Sequence, residues 1–595
     1  MYMGRGVWSS FARTAAFPVA SLVCLPTSLA IAKRALLGAT PLHATTTRAP
    51  GSVGRPKICL TWRWELSEEP VVFARKASGL VREMNWWDVL LISIAGPAAA
   101  GMSYYTVKEP GLYPGGSIVL SFFIGGIVWL PVVICVAAIA SSFPRSGSMY
   151  IMTSRVLHPM FGFMPNWMYV IGGGGGMLVG LEVYMMFILI ASGFSVCGQL
   201  SGVGGSIGTW LGDPYHRLIP ALILLGVLWL VELIGLSRLK WVLRVLIYIP
   251  LVVTAIALIF FFAKDGKASF DGVYGAGMAA KVQALAQAKG IKDSMVSLWP
   301  GTLNMLLAVF WAYSGLEVVS FMGSEIKSPR TSFLRGMIVG WAAVMVLYVL
   351  NAWAVGYSFG STFVRDYAWL YYNHQGDLDK VLGTSSAAPS VPFYAAITAG
   401  SAWFSVLVAI GYGLWLLNTA MIFWMAATRG IFAMAFDRQL PLSLAKVSKT
   451  GNPTNAAHFI GVWAVIGMFI SLMDSLGTGF AGNVLALMDY GSLFFVWPLG
   501  LAAMFLPYYR TDLFEKSTFQ YRWAGIPAIT VIGAITFSVG LWMMFQVGLE
   551  LSTTWSEILV TVTLLIGLIL VAVMYARNRK EGIDPGKIFT QIPPA

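Results

Sequence analysis

The stretch SIAGPAAAGMSYY (residues 93–105) decides how this chain folds. It lies in an apolar run from 86 to 104 and carries Gly96-Pro97 and Gly101 where a helix needs regular donors. Proline removes a backbone N–H, and glycine permits unwinding. Backbone in a bilayer must be satisfied by protein or by a wet cavity, so such an interruption marks a position facing the protein interior. Its counterpart is AVFWAYSGLEVVSF (residues 308–321), with Ser314-Gly315 in its middle and Glu317 just beyond. Two broken segments at corresponding places in two halves point to a site near the membrane midplane. Half-helix ends offer N–H groups to a carboxylate and carbonyls to an ammonium or metal cation. Side by side, two breaks would receive a zwitterion without charged side chains.

The rest of the chain agrees with a membrane setting. Of 595 residues, 57% are apolar and 11% charged, against about 45–50% and 25% in soluble domains. That excludes a soluble enzyme, a coiled coil and a disordered scaffold. A spanning helix needs about 20 apolar residues, and twelve segments qualify: 86–104, 118–140, 161–195, 218–236, 242–263, 302–323, 333–357, 396–427, 456–473, 483–506, 524–547 and 555–576. The third and eighth are long enough to tilt or to extend beyond the hydrocarbon. The longest loops, 264–301 and 358–395, are too short for independent domains, although GAGMAAKVQALAQAKG (275–290) has the composition of a surface helix. Cys24, Cys59, Cys135 and Cys197 show no CxxC spacing, and the five histidines are scattered, so neither a metal site nor a cofactor is indicated.

Charge placement orients the spans. With the N-terminus inside, the inner loops collect Arg145, Arg155, Arg238, Lys240, Arg244, Lys327, Arg330, Arg335, Arg429 and Arg438, while the outer loops are rich in acids. The positive-inside rule then favours two cytoplasmic termini in a multi-pass plasma membrane protein. The net charge of +13 reflects topology and anionic lipid rather than a nucleic-acid partner. Residues 1–84 read as a cytoplasmic extension that is disordered or begins at an upstream start, 85–576 as the transporter domain and 577–595 as a cytoplasmic tail. The segment MYMGRGVWSSFARTAAFPVASLVCLPTSLAIAKRA also has the basic flanks and apolar run of a signal sequence.

Four stretches carry a resemblance: RKASGLVREMNWWDVL (75–90), FPRSGSMYIMTSRVLHPMFGFMPNW (143–167), FWAYSGLEVVSFMGSEIKSPRTSFLRG (310–336) and GIDPGKIFTQIPPA (582–595). In this order they resemble the amino acid–polyamine–organocation superfamily of permeases, in its amino acid permease branch. Ser148, Leu316 and Gln591 depart from that pattern. The resemblance implies an all-α protein with a five-plus-five inverted-repeat core, broken helices 1 and 6, and two appended helices. It implies amino acids as substrates, or related amines. By position, Ala95, Gly96, Pro97, Ala98, Ala99, Gly101, Trp311, Ala312, Tyr313, Ser314 and Gly315 would line the substrate site. Backbone groups of Gly96, Ala98, Ala99 and Ser314 would do most of the binding. Trp311 and Tyr313 would pack on the substrate or simply pack helices.

Apart from Glu557 at the edge of the last segment, five acids fall within the apolar spans: Asp88, Glu182, Glu232, Glu317 and Asp489. An intramembrane carboxylate is costly, so each is a functional candidate. Asp88 and Glu232 lie near span ends, where reaching the interface is the plainer reading. Glu317 is placed to brace the unwound segment or to bind an amine, with bracing favoured. Glu182, shortly after the Gly172–Gly176 run, and Asp489 are candidates for coupling. Proton-coupled relatives place a Lys in span 5; here that span has none, and Arg244 near its start cannot release a proton. Sodium would need span 8 hydroxyls such as Ser405, Thr419 or Thr428. H+, Na+ and ion-free exchange all stay open. Arg330, Arg429, Asp437 and Arg438 could form an inner gate or ordinary positive-inside loops. No charge ring or filter repeat suggests a channel, and no buried catalytic cluster suggests an enzyme. The expected activity is secondary active transport by alternating access; the alternatives are an amine or polyamine exchanger and a non-transporting amino acid sensor.

Overall fold

The computed structural model describes residues 79–593 apart from 81, 292–297, 450 and 551–553; most of the N-terminal extension therefore lies outside the described residues. Within them, eleven helical segments are long and apolar enough to cross a membrane, and the bent pair Trp86–Ala99 and Gly101–Leu112 makes a twelfth. In chain order the others are Ile118–Ser142, Pro159–Ser201, Pro214–Leu233, Arg238–Ala263, Leu298–Phe321, Pro329–Phe359, Ala402–Phe436, Thr454–Ser475, Gly479–Tyr509, Ala528–Leu549 and Thr554–Lys580. We refer to them as spans 1 to 12. The chain is thus an all-α polytopic membrane protein.

Local sequence explains where the spans depart from uniform helices. Span 1 starts from a capping box: Asn85 accepts from the Trp87 and Asp88 N–H groups, and Asp88 accepts from the Asn85 N–H. The helix then runs through Gly96-Pro97 to Ala100. Proline deletes only its own donor, so one carbonyl, that of Ser93, loses its helical partner. The break comes later than the Gly-Pro pair, as a π turn over Gly101–Tyr105 with a 48° bend. Span 6 breaks at Ser314-Gly315. Its helix ends at Tyr313, Gly315 takes φ +118°, and short 3-10 turns follow over Val318–Phe321 and Gly323–Glu325. Span 3 carries a second π turn, Tyr169–Gly173, and span 10 is interrupted at Phe494-Phe495 between helices Gly479–Leu493 and Val496–Tyr509.

Span 8 begins at Ala402 rather than near 396, because Gly400, at φ +63°, ends a separate helix Val391–Ala399. The 358–395 region holds two further short helices, Ser361–Asn373 and Gln375–Leu382. The surface helix of the 264–301 loop forms at Met278–Ala288, preceded by Gly266–Tyr274.

Spans 1, 3, 6, 8 and 10 meet in the interior, and glycine makes the closest meetings possible. In span 3, a Cβ at Gly173 would strike Met488 and Ser492 of span 10, and one at Gly180 would strike the backbone of Ala464 in span 9. This is the small-residue packing that bilayers favour, since apolar side chains gain nothing there by leaving lipid. Glu182 lies two residues beyond Gly180 and is held at the interior by this packing.

Gly180→Val should displace span 9 and destabilise the fold by about 1–3 kcal/mol, the usual cost of overpacking. Gly226→Ala, where a Cβ meets open space, should be neutral. Thermal unfolding of the purified variants compares the two; equal midpoints would contradict the packing described.

Candidate functional site

Pro97 and the π turn free carbonyls in span 1, and the Ser314-Gly315 break frees backbone in span 6. Neighbouring spans supply the missing partners. Thr419 of span 8 donates to the Ala95 carbonyl at 2.8 Å. Tyr348 of span 7 donates to the carbonyls of Pro97 (2.5 Å) and Ala312 (2.9 Å), tying spans 1 and 6 together. Asn351, one turn on, donates to the Met102 carbonyl at 3.1 Å. The Gly101 N–H turns back to Ala98.

At the span 6 break, one carboxylate collects three donors. Glu317 accepts from the Gly315 N–H (2.8 Å), the Tyr169 hydroxyl (3.0 Å) and the Ser314 hydroxyl (3.3 Å). Because the Gly315 N–H is spent on Glu317, the Trp311 carbonyl loses its helical donor. Gly96 and Gly315 approach so closely that a Cβ at Gly96 would fall on the Gly315 carbonyl oxygen, and one at Gly315 would lie 2.7 Å from the Gly96 carbonyl carbon.

Around this junction lies a small cavity of about 20 Å³, lined by Gly96, Pro97 and Ala99 of span 1, Leu178 and Glu182 of span 3, and Trp311 and Ser314 of span 6, with Thr419, Phe423 and Ser492 completing the wall. That is room for about one water molecule, so in this conformation the walls are closed on one another at the junction. Gly96, Pro97, Ala99, Glu182, Trp311 and Ser314 were singled out in the sequence; Leu178, Phe423 and Ser492 were not. Ala95, Ala98, Gly101, Ala312 and Tyr313 are buried beside the cavity without lining it. Tyr313 donates to the Phe122 carbonyl at 2.9 Å and packs against Phe122 and Tyr348, a helix-packing aromatic. Trp311 meets Tyr105 edge-on at 5.7 Å. Asp489 is half-buried on span 10 and is not part of the wall. Of the three span 8 hydroxyls named above, Thr419 alone reaches span 1; Ser405 bonds within its own helix, and Thr428 has no hydrogen-bond partner among the described residues.

Below the cavity, on the face that bears residues 84 and 593, buried ion pairs close the structure. Arg429 of span 8 pairs with Glu325 at 3.1 Å and Glu232 at 3.0 Å, all essentially inaccessible to water. Burial raises the Glu325 carboxyl above its ordinary value, and the guanidinium acts against that rise. Glu232 thus does not reach the interface. Asp437 pairs with Arg155 at 2.5 Å and accepts from the Tyr150 hydroxyl at 2.7 Å. Arg429 and Asp437 therefore belong to two separate clusters whose partners were not anticipated. Arg330 is exposed, and Arg438 faces Glu581 at 3.7 Å. Asp88 pairs with Arg244 of span 5 at 2.7 Å.

A sequence model of the amino acid permease family matches residues 84–571. The chain is similar to the cationic amino acid transporter 7, chloroplastic, of Arabidopsis thaliana, with 23% identity over 76% of this chain and 74% of the relative. It is similar to the branched-chain amino acid permease BcaP of Bacillus subtilis, with 23% identity over 84% and 94% of the two chains. The methylthioribose transporter of the same bacterium shares 23% identity over 79% of this chain and 89% of its own.

Tyr348→Phe keeps the ring contacts with Phe122 and Tyr313 but leaves the Pro97 and Ala312 carbonyls without a side-chain donor. A buried unsatisfied group costs about 1–3 kcal/mol, so the thermal midpoint of the variant should fall. Glu317→Leu, which strips three donors of their acceptor, should lower it further. Wild-type midpoints for both would contradict the bracing network.

Proposed function

The chain belongs to the amino acid permease family, and on that footing we propose that it is a secondary active transporter carrying an amino acid or related amine across the plasma membrane by alternating access. The single observation that supports this best is the cavity at the junction of the two broken spans. It is bordered by backbone released from helical bonding, closed down to about a water's volume, and separated from one face of the protein by buried ion pairs, as an occluded state would be. Such pairs are strong only while water is excluded, so they suit a closure that must form and break as access alternates. The relatives' names, which include cationic and branched-chain amino acids and methylthioribose, fit a scaffold whose substrate varies with the side chains of the wall.

In this reading residues 85–576 are the transporter domain and both termini are cytoplasmic, with 1–84 and 577–595 as its cytoplasmic extension and tail. The face closed by Arg155, Arg429 and their partners is then the inner one. Gly96, Pro97, Ala99, Trp311 and Ser314 meet the substrate, while Ala95, Ala98, Gly101, Ala312, Tyr313 and Gly315 shape the backbone behind them. Energy comes from a proton or sodium gradient; no cofactor is required.

Liposomes carrying the purified protein should accumulate at least one member of a labelled amino acid and polyamine panel. Accumulation should respond to an imposed proton or sodium gradient. Ser314→Phe, which fills the cavity, should cut uptake at least tenfold. Binding without uptake would replace transport by sensing, and uptake untouched by Ser314→Phe would move the site elsewhere.

A further inference from the structure

The hydroxyl protons of the cavity wall are already committed. The hydroxyls of Thr419, Ser492 and Ser314 donate to Ala95, Met488 and Glu317. The carbonyls of Ala95, Pro97 and Ala312 accept from Thr419 and Tyr348. What remains is one charged acceptor, the carboxylate of Glu182, beside the neutral Trp311 carbonyl freed by the span 6 break, and one donor, the Trp311 indole N–H, which is buried without a hydrogen-bond partner among the described residues.

Glu182 is 4% exposed, and no Lys, Arg or His lines the cavity with it. Among the described residues its carboxylate forms neither an ion pair nor a hydrogen bond. The two phenols near enough to feel its charge are Tyr104 and Tyr348. Both spend their protons elsewhere, Tyr104 on the Met185 carbonyl at 3.2 Å and Tyr348 on spans 1 and 6. A carboxylate withdrawn from water without a partner is strongly disfavoured, and a positively charged nitrogen entering the cavity supplies that partner with charge-assisted hydrogen bonds.

We infer that Glu182 reads the positive charge of the substrate, pairing with an ammonium or guanidinium in place of the helix-end carbonyls that Thr419 and Tyr348 already occupy. The inference rests on the cavity being the transport site. The cation is either the α-ammonium of an amino acid or a cationic side chain, and two isosteric pairs separate these. L-Leucine against 2-hydroxy-4-methylpentanoate removes the α-ammonium. L-Lysine against L-2-aminoheptanoate removes the side-chain charge.

The test measures inhibition of uptake of the best-carried labelled amino acid in liposomes by all four compounds, for the wild type and for Glu182→Gln and Glu182→Asp. The wild type should prefer the charged member of at least one pair by about 100-fold or more, as sites with a buried polar group reject ligands that leave it unpaired. In Glu182→Gln that ratio should collapse to within about 5-fold of unity, through weaker binding of the charged member. Glu182→Asp should keep part of the preference, with both variants eluting and melting like the wild type. An unchanged ratio in Glu182→Gln would overturn the assignment, as would a wild type with no preference in either pair. Should Glu182→Gln fail to fold, the wild-type ratios together with Glu182→Asp decide. Absence of any wild-type uptake would instead overturn the transport reading on which the inference rests.

Discussion

The centre of this protein depends on two backbones touching. Gly96 in span 1 and Gly315 in span 6 come together at a separation that leaves no room for a Cβ on either side. Gly315 also adopts a positive φ that other residues enter only under strain. That contact fixes how the halves of the chain face one another and forces helical hydrogen bonding to lapse there. It also leaves the gap that becomes the cavity.

A lapse of this kind inside a membrane has to be repaired by side chains, and the repair is specific. Glu317 collects the N–H of Gly315 with the hydroxyls of Ser314 and Tyr169. Tyr348 spans the gap between Pro97 and Ala312. Since Tyr348 bonds both broken spans at once, any movement of one against the other must break or carry that bond. The same logic holds on the terminal face, where Arg429 joins span 8 to Glu325 after span 6 and to Glu232 at the end of span 4. Opening the cavity to that face means separating charges that are stable only in company.

Much of this could be read from residues alone. The spans follow from apolar length, and Ser314-Gly315 announces the span 6 break because glycine there has no other use. The Gly-Pro pair of span 1 misleads by a few residues: a proline costs one helical bond, whereas the bend needs the slack of the π turn at Gly101–Tyr105. The run Gly172–Gly176 reads correctly as a close-packing surface. Tyr348 and Asn351 were overlooked, although two polar groups one turn apart in an apolar span are a usable signal. The pairing of Arg429 with Glu232, and of Arg155 with Asp437, could not be read. Each joins residues far apart in the chain, brought together by the packing of span 4 on span 8 in the first case and of the short helix Ser148–Val156 on the end of span 8 in the second.

The central claim is that a small molecule sits at the junction of spans 1 and 6. Its most direct measurement is substrate protection of a cysteine placed there. In a background with the native cysteines replaced, Ser314→Cys would be labelled by a small thiol reagent with and without saturating amino acid, alongside Arg330→Cys at the exposed start of span 7. The account predicts that the amino acid slows labelling at position 314 severalfold and leaves position 330 unchanged. Equal labelling rates at position 314, with and without an amino acid that the protein demonstrably carries, would contradict it.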